Sequence, residues 1–183
     1  MPLVTAVDLR GAHRILVFGV TGSGKTTAAD RIGEVLGLPS HHVDDEIGWL
    51  PDWVERPAED QRRLAAEIAG QDDWVIDSAY GTWRDVVTAR TDYVVALDYP
   101  RLVSLSRLVR RGLRRVVTKE PMCNGNYESW GRLLGKKSIL RWHFQSFARK
   151  HATIEAMESA PDGPPVVRLR GQADLDALLA TLR

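Results

Sequence analysis

The stretch Arg14 to Leu36, RILVFGVTGSGKTTAADRIGEVL, constrains this chain more than any other. RILVFG reads as a buried strand, and Lys25 to Leu36 spaces Ile32, Val35 and Leu36 for one face of a helix. Between them Gly19, Gly22 and Gly24 crowd a short turn. Glycine lets the backbone approach an anion closely, and successive N–H groups backed by a helix N-terminus form a positive concavity. GVTGSGKT fits the phosphate-binding pattern of Gly, four residues, then Gly-Lys-Ser/Thr, in the strand-to-helix context that the pattern requires. Gly19, Thr21, Gly22, Ser23, Gly24, Lys25, Thr26 and Thr27 are therefore the expected nucleotide contacts. Lys25 would reach the β- and γ-phosphates, and the Thr26 hydroxyl would hold Mg²⁺. ATP or GTP binding is the implied chemistry, with ATP and Mg²⁺ as the expected cofactors.

Downstream, short apolar runs alternate with amphipathic segments. Strands are expected at Ser40 to Val43, Asp73 to Asp77, Asp92 to Asp98 and Pro165 to Arg170. Helices are expected at about Ala58 to Ala69, Leu102 to Arg115, Tyr127 to Met157 and Gln172 to Leu182. Strand and helix in turn predict an α/β fold, a parallel sheet covered on both faces. At 183 residues the chain suits one domain with an insertion.

Charge narrows the partners. Lysine and arginine total 25 against 24 acidic residues, so no global field draws the protein to nucleic acid or to an anionic membrane. The single cysteine, Cys123, cannot build a disulfide framework, which suits a reducing interior and a cytoplasmic location. No apolar run approaches the about 20 residues of a membrane-spanning helix.

Mg²⁺ bound to a nucleotide needs a carboxylate near the end of a neighbouring strand. Asp77 ends one apolar run and Asp98 another, and Asp77 is the preferred metal residue, with Asp98 the weaker candidate or a cap. HVDDEIGW places Asp44 first beyond a strand, where it could accept the proton of an attacking hydroxyl; Asp45 and Glu46 suit a polar turn. His41 and His42 lack a second ligand pair at metal spacing and read as strand-end residues. From Arg101 to Arg115 there are six arginines and no acid, a run that points to an anion. Trp49, Trp53 and Trp83 read as core or as stacking surfaces.

The loop, HHVDDEIGW, DDWVIDSAYGTWRDVVTARTDYVVALDYPR and RLVRRGLRR together resemble the adenylate kinase-like P-loop kinases, in particular a group known as topology modulation proteins, over about Arg14 to Arg149. The resemblance implies a three-layer fold with a five-stranded sheet ordered 2-3-1-4-5, an acceptor-side segment at about 44 to 72 and a helical lid at about 112 to 140, all in one domain spanning 1 to 183. It assigns Arg107 and Arg111 to the transferring phosphoryl group and gives Arg84 an acceptor-side position at an unusual spacing; with Lys25 of the loop and Asp44, both read from the residues themselves, the expected catalytic set is Lys25, Asp44, Arg107 and Arg111, although a carboxylate at Asp44 is a poor neighbour for the phosphate acceptor of that family. Given that strand order, Asp77 would lie beside the loop and Asp44 about 10 Å farther across, because neighbouring strands are about 4.8 Å apart. The expected function is an ATP- and Mg²⁺-dependent phosphotransferase of the nucleoside monophosphate kinase type, with a nucleotide and a small-molecule acceptor as partners. The alternatives are a kinase of a nucleoside or small hydroxylated metabolite, and a nucleotide-switched regulatory NTPase. Asn124-Gly125-Asn126 and Glu128, within the lid, have no assigned role at this level.

Overall fold

A computed structural model describes residues 9–136 and 138–183. The elements run β1 (Arg14–Gly19), α1 (Lys25–Leu36), β2 (Ser40–His41), a one-turn π-helix (Asp44–Gly48), β3 (Trp49–Leu50), a 3-10 turn (Pro51–Trp53), β4 (Val54–Glu55), α2 (Ala58–Ala69), β5 (Trp74–Ile76), α3 (Arg84–Thr88), β6 (Tyr93–Leu97), α4 (Arg101–Thr118), α5 (Trp130–Leu134), α6 (Ile139–Glu158), β7 (Val166–Leu169) and α7 (Gln172–Leu182).

The main sheet has five parallel strands in the order β2-β5-β1-β6-β7. Counting only its own strands, that is the expected 2-3-1-4-5; β3 and β4, which the sequence did not announce, form a separate antiparallel pair. Alternation along β1 builds the three layers. Ile15 and Val17 pack with α1 and α7 through Ile32, Leu175, Leu178 and Leu182, while Leu16 and Phe18 face the opposite layer with Ala65, Ile68, Trp83 and Ile154. β1 is buried from Ile15 onward, as a central parallel strand must be when helices cover both faces.

Several boundaries differ from the sequence reading. The expected helix over Tyr127 to Met157 is two helices, α5 and α6. Ser129 and Ser138 each accept a backbone hydrogen bond at the start of one of them, from Arg132 at 3.3 Å and Leu140 at 3.1 Å. α4 runs on to Thr118 and ends where Lys119 takes a left-handed conformation, so Gly112 lies inside that helix. The second strand stops at His41, because the chain turns through Val43 into the π-helix. Among the described residues, no helix is long and apolar enough to cross a membrane.

Candidate functional site

The loop after β1 is pinned from within. Ser23 donates to the Val20 carbonyl through its backbone N–H at 3.2 Å and through its hydroxyl at 2.8 Å, which curls the chain around Gly22 and Gly24. Both glycines have positive φ, 82° and 95°, where an L side chain is strained. Lys25 folds back to donate to the Val20 carbonyl at 3.2 Å. Burial holds its ammonium below the usual lysine range; Asp77 and Asp44 oppose that effect and Arg111 reinforces it. A cation so poorly compensated, at the mouth of a loop of inward-turned backbone, suits an incoming polyphosphate.

β5 delivers Asp77 beside the loop, and the Thr26 hydroxyl donates to its Oδ2 at 2.5 Å. Oδ1 accepts the Val43 N–H at 2.9 Å, so Asp77 ties α1 to the turn after β2. The carboxyl is 5% exposed; burial raises its pKa against the hydrogen bonds of Thr26 and Val43 and the charge of Lys25. Thr26 and Asp77 thus stand together as a hydroxyl and a carboxylate beside the loop lysine. Among the described residues no three His, Cys, Asp or Glu side chains gather to cage a metal by themselves. This pair suits an ion that takes its other ligands from phosphate and water.

Asp98, the weaker candidate, is engaged elsewhere. Its carboxylate accepts from Arg168 at 2.6 Å and faces His151 at 2.9 Å. It closes the end of β6 onto β7 and α6.

Asp44 begins the π-helix, and the Tyr80 hydroxyl donates to its Oδ1. Tyr80 comes from the loop after β5 and packs its ring against Trp83 with centroids 5.4 Å apart. Gly48 makes room for it, since a Cβ there would stand 2.5 Å from the Tyr80 hydroxyl. Burial and the Asp44 charge push the phenol well above its usual pKa, so it remains a donor. Asp44 contributes to the fields at Lys25, Asp77, Arg111 and Lys150 alike, which puts it at the centre of the charged cluster.

The two singled-out arginines of α4 have different surroundings. Arg107 donates to the Ser23 carbonyl at 3.1 Å and to Gln172 at 3.0 Å, and lies over the Tyr99 ring. It lines a cleft with Ser23, Gly24, Thr27 and Gln172 on the outer side of the loop. Arg111, one turn on, has its pKa lowered by burial and by Arg115, with Asp44, Cys123 and Glu128 opposing. Gly19 ends β1 and Thr21 sits in the loop itself.

The Asn-Gly-Asn segment acquires a place. Met122 and Asn126 bridge each other around a turn in which Cys123, Asn124 and Gly125 all have positive φ. That turn docks on the β3–β4 hairpin, whose own tip carries positive φ at Asp52 and Trp53. Four hydrogen bonds join the hairpin to this turn and the adjoining Tyr127: Asn126 Oδ1 accepts from Trp53 N at 2.6 Å, Asn126 Nδ2 donates to Leu50 O at 2.9 Å, Asn124 Nδ2 donates to Trp49 O, and Trp53 Nε1 donates to Tyr127 O. The Asn124 N–H donates to Asp45 of the π-helix. The Arg132 guanidinium covers the Trp53 ring at 4.0 Å. Trp49 and Trp53 therefore brace this junction, 5.5 Å apart edge to face, while Trp83 is fully buried. Cys123 sits beneath, its thiol pushed up to about 12 by burial and by Asp44 and Asp45, so it is not a nucleophile at neutral pH. Glu46 meets His41 at 2.8 Å and Asp30 meets His42 at 2.7 Å.

Sequence reasoning passed over Tyr80 and Lys150. Lys150, on α6, points its ammonium at the Phe18 ring, 4.3 Å from the centroid, and Arg84 approaches the same ring at 5.7 Å. Only the topology that lays α6 across β1 brings these residues together.

No family model matches this sequence. Uncharacterized protein YqaC of Bacillus subtilis strain 168 is 27% identical over 133 residues, 70% of this chain and 69% of that protein. Among solved structures, shikimate kinase from Acinetobacter baumannii in complex with shikimate superposes with a TM-score of 0.62 at 17% identity, covering 95% of this chain and 92% of that one. Shikimate kinase from Bacteroides thetaiotaomicron gives 0.56 at 18% identity, covering 93% and 96%. These likenesses establish that the chain shares the α/β fold of those kinases.

Proposed function

We propose that this chain is an ATP- and Mg²⁺-dependent phosphotransferase that acts on a hydroxyl group of a small molecule. The observation that carries this reading is Asp44, a carboxylate held by Tyr80 within the field of Lys25. A carboxylate beside the point of transfer repels a phosphate acceptor, whereas a hydroxyl acceptor needs a group to take its proton. The two structural neighbours, named for the phosphorylation of a hydroxylated acid, agree with this reading of the fold.

The loop from Gly19 to Thr27 would hold the nucleotide phosphates, with Thr26 and Asp77 ordering Mg²⁺, whose contribution is to neutralise phosphate charge. Lys25 and Arg111 would stabilise charge on the transferring group, while Arg107 steadies the loop and the outer cleft. Asp44 accepts the acceptor's hydroxyl proton as the new oxygen–phosphorus bond forms and the bond to the departing nucleoside diphosphate breaks. Tyr80 keeps the carboxylate turned toward that proton. The segment from Lys119 to Arg132, docked on the hairpin at 49 to 55, would exclude water from the transfer.

A second reading, the nucleoside monophosphate kinase type, draws support from the cations Arg84 and Lys150, which meet over Phe18 of β1, with Lys150 within the field of Asp44. An acceptor screen with purified protein, ATP and Mg²⁺ decides between them. Product from a hydroxyl compound supports the first reading, and product only from nucleoside monophosphates replaces it with the second. ATP hydrolysis with no acceptor product rejects both.

A further inference from the structure

Lysine and arginine nearly balance the acids over the whole chain, but not along it. Between Arg101 and Lys150 lie 13 of the 25 cations and two of the 24 acids, Glu120 and Glu128, which leaves the rest of the chain net acidic. Exposed apolar side chains gather in the same stretch. Of the nine large apolar side chains exposed among the described residues, eight fall between Leu102 and Phe144, on α4, α5, α6 and the segment before α5. A positive surplus and apolar exposure in one segment call for a ligand that is anionic and apolar together.

α4 gives these residues a common face. It packs inward through Ser104, Leu108, Gly112 and Val116, and Arg107 turns toward the phosphate loop. The outward face carries Leu102, Leu105, Val109, Leu113 and Val117, spaced by three or four residues along about 22 Å of helix. The stretch from Leu102 to Leu113 lines an open groove with Arg110 beside it. α5 lies alongside, because Leu133 packs over Gly112, where a Cβ would stand 2.7 Å from its Cδ1. The next residue, Leu134, is left in solvent. The three most exposed of these side chains are aliphatic: Leu102 at 78%, Val117 at 74% and Leu134 at 73%.

We propose that the outward face of α4, with Leu134 of α5, docks on an anionic lipid surface. The aliphatic side chains enter the boundary of the acyl chains while the surrounding cations meet the headgroup phosphates. The helix lies in the interface and does not cross it, in keeping with the lack of any membrane-spanning helix among the described residues. A polynucleotide would use the cations and the rings but leave the most exposed side chains, which are aliphatic, in water. A second copy of this chain would cover them only by bringing two strongly basic segments together. An acidic helix would fill the groove alone, whereas the exposed apolar residues spread over three helices. The proposal does not depend on what the phosphate-loop site phosphorylates.

Flotation of the full chain with phosphatidylcholine vesicles, with and without about 30 mol% phosphatidylglycerol, tests this. Partitioning onto the anionic vesicles should be about tenfold stronger or more, and should decline as salt rises above about 0.1 M. Leu102→Gln combined with Val117→Gln removes apolar surface without changing charge, at two positions exposed enough to leave thermal melts unaltered. This variant should lose about tenfold in partitioning and keep its nucleotide turnover. Arg110→Gln should weaken partitioning several-fold. The proposal is overturned if the two kinds of vesicle bind alike or not at all, or if the double glutamine variant binds as wild type does, since the attraction is then diffuse charge. Two other results also overturn it. Tighter binding to single-stranded poly(U) than to anionic vesicles would assign the basic segment to nucleic acid. A lipid-free dimer in sedimentation, dissolved by the double glutamine variant, would assign the face to a second copy.

Discussion

Thr26 and Asp77, 51 positions apart, meet at 2.5 Å, hydroxyl to carboxylate, beside the loop lysine. A parallel strand neighbour supplies the acid, and the helix that follows the loop supplies the hydroxyl. Asp77→Asn keeps an acceptor for the Val43 N–H and so preserves the turn after β2. Its expected effect is a several-fold higher Mg²⁺ concentration for half-maximal turnover, with metal-free nucleotide affinity nearly unchanged. An unaltered Mg²⁺ titration would remove Asp77 from the metal site.

Lys25 is a desolvated cation, so the fold does not depend on its charge. Lys25→Met is expected to abolish nucleotide turnover while Tm stays level or rises. Thermal melts alongside a turnover assay check both halves, and full activity in this variant rejects the phosphate-loop assignment.

Asp44→Asn should lower kcat by about 10² to 10⁴, the usual loss with a general base, and leave nucleotide affinity nearly intact. Tyr80→Phe should reduce kcat less, because the carboxylate keeps its charge but loses the hydrogen-bond donor that orients it. If Asp44→Asn changes only acceptor KM, the acceptor needs no base and is a phosphate.

Much of this was legible in the chain itself, for a physical reason. β1, β5 and β6 are buried on both faces and carry continuous apolar runs, and the loop has a fixed pattern of letters. Asp77 could be placed because it is the first residue beyond such a run. The hairpin at 49 to 55 could not, since its strands are two residues each and its turn relies on left-handed Asp52 and Trp53 instead of glycine. Lys150 was invisible because its site exists only where α6 crosses β1, far from the loop in sequence. The arginine run announced an anion, yet spacing alone could not show that Arg107 grips the loop while Arg111 is buried near Asp44.

Asp98 should contribute to the acid sensitivity of the fold. Burial acts to raise its pKa, but the hydrogen bonds from His151 and Arg168 outweigh that and depress it below the usual carboxylate value. Its folded pKa lies below the unfolded one, so its stabilisation is present above about pH 4 and disappears as pH falls through the folded value. Asp98→Asn should cost on the order of 2 kcal/mol at pH 7, since Arg168 keeps Glu158 at 2.9 Å but loses its charge-assisted hydrogen bonds to Asp98. The deficit against wild type should shrink on acidification; denaturant melts from pH 7 to 3 measure it, and a constant deficit would contradict the assignment.

Asn126→Ala removes both hydrogen bonds that its side chain makes to the hairpin. Amide exchange should accelerate from Trp49 to Val54 and from Met122 to Tyr127 together, with the rest of the sheet unaffected. Acceleration on one side only would mean that the two segments are independent.

The docking of two left-handed turns on each other also bears on tempo. Positive φ at non-glycine residues costs on the order of 1 kcal/mol or more apiece, and here such residues sit on both sides of one junction, held by contacts that exist only while it is shut. Opening therefore trades lost hydrogen bonds for released backbone strain, so the open and shut arrangements lie closer in energy than the bond count suggests. The residues Asp52, Trp53, Cys123 and Asn124 therefore set how readily this junction comes apart.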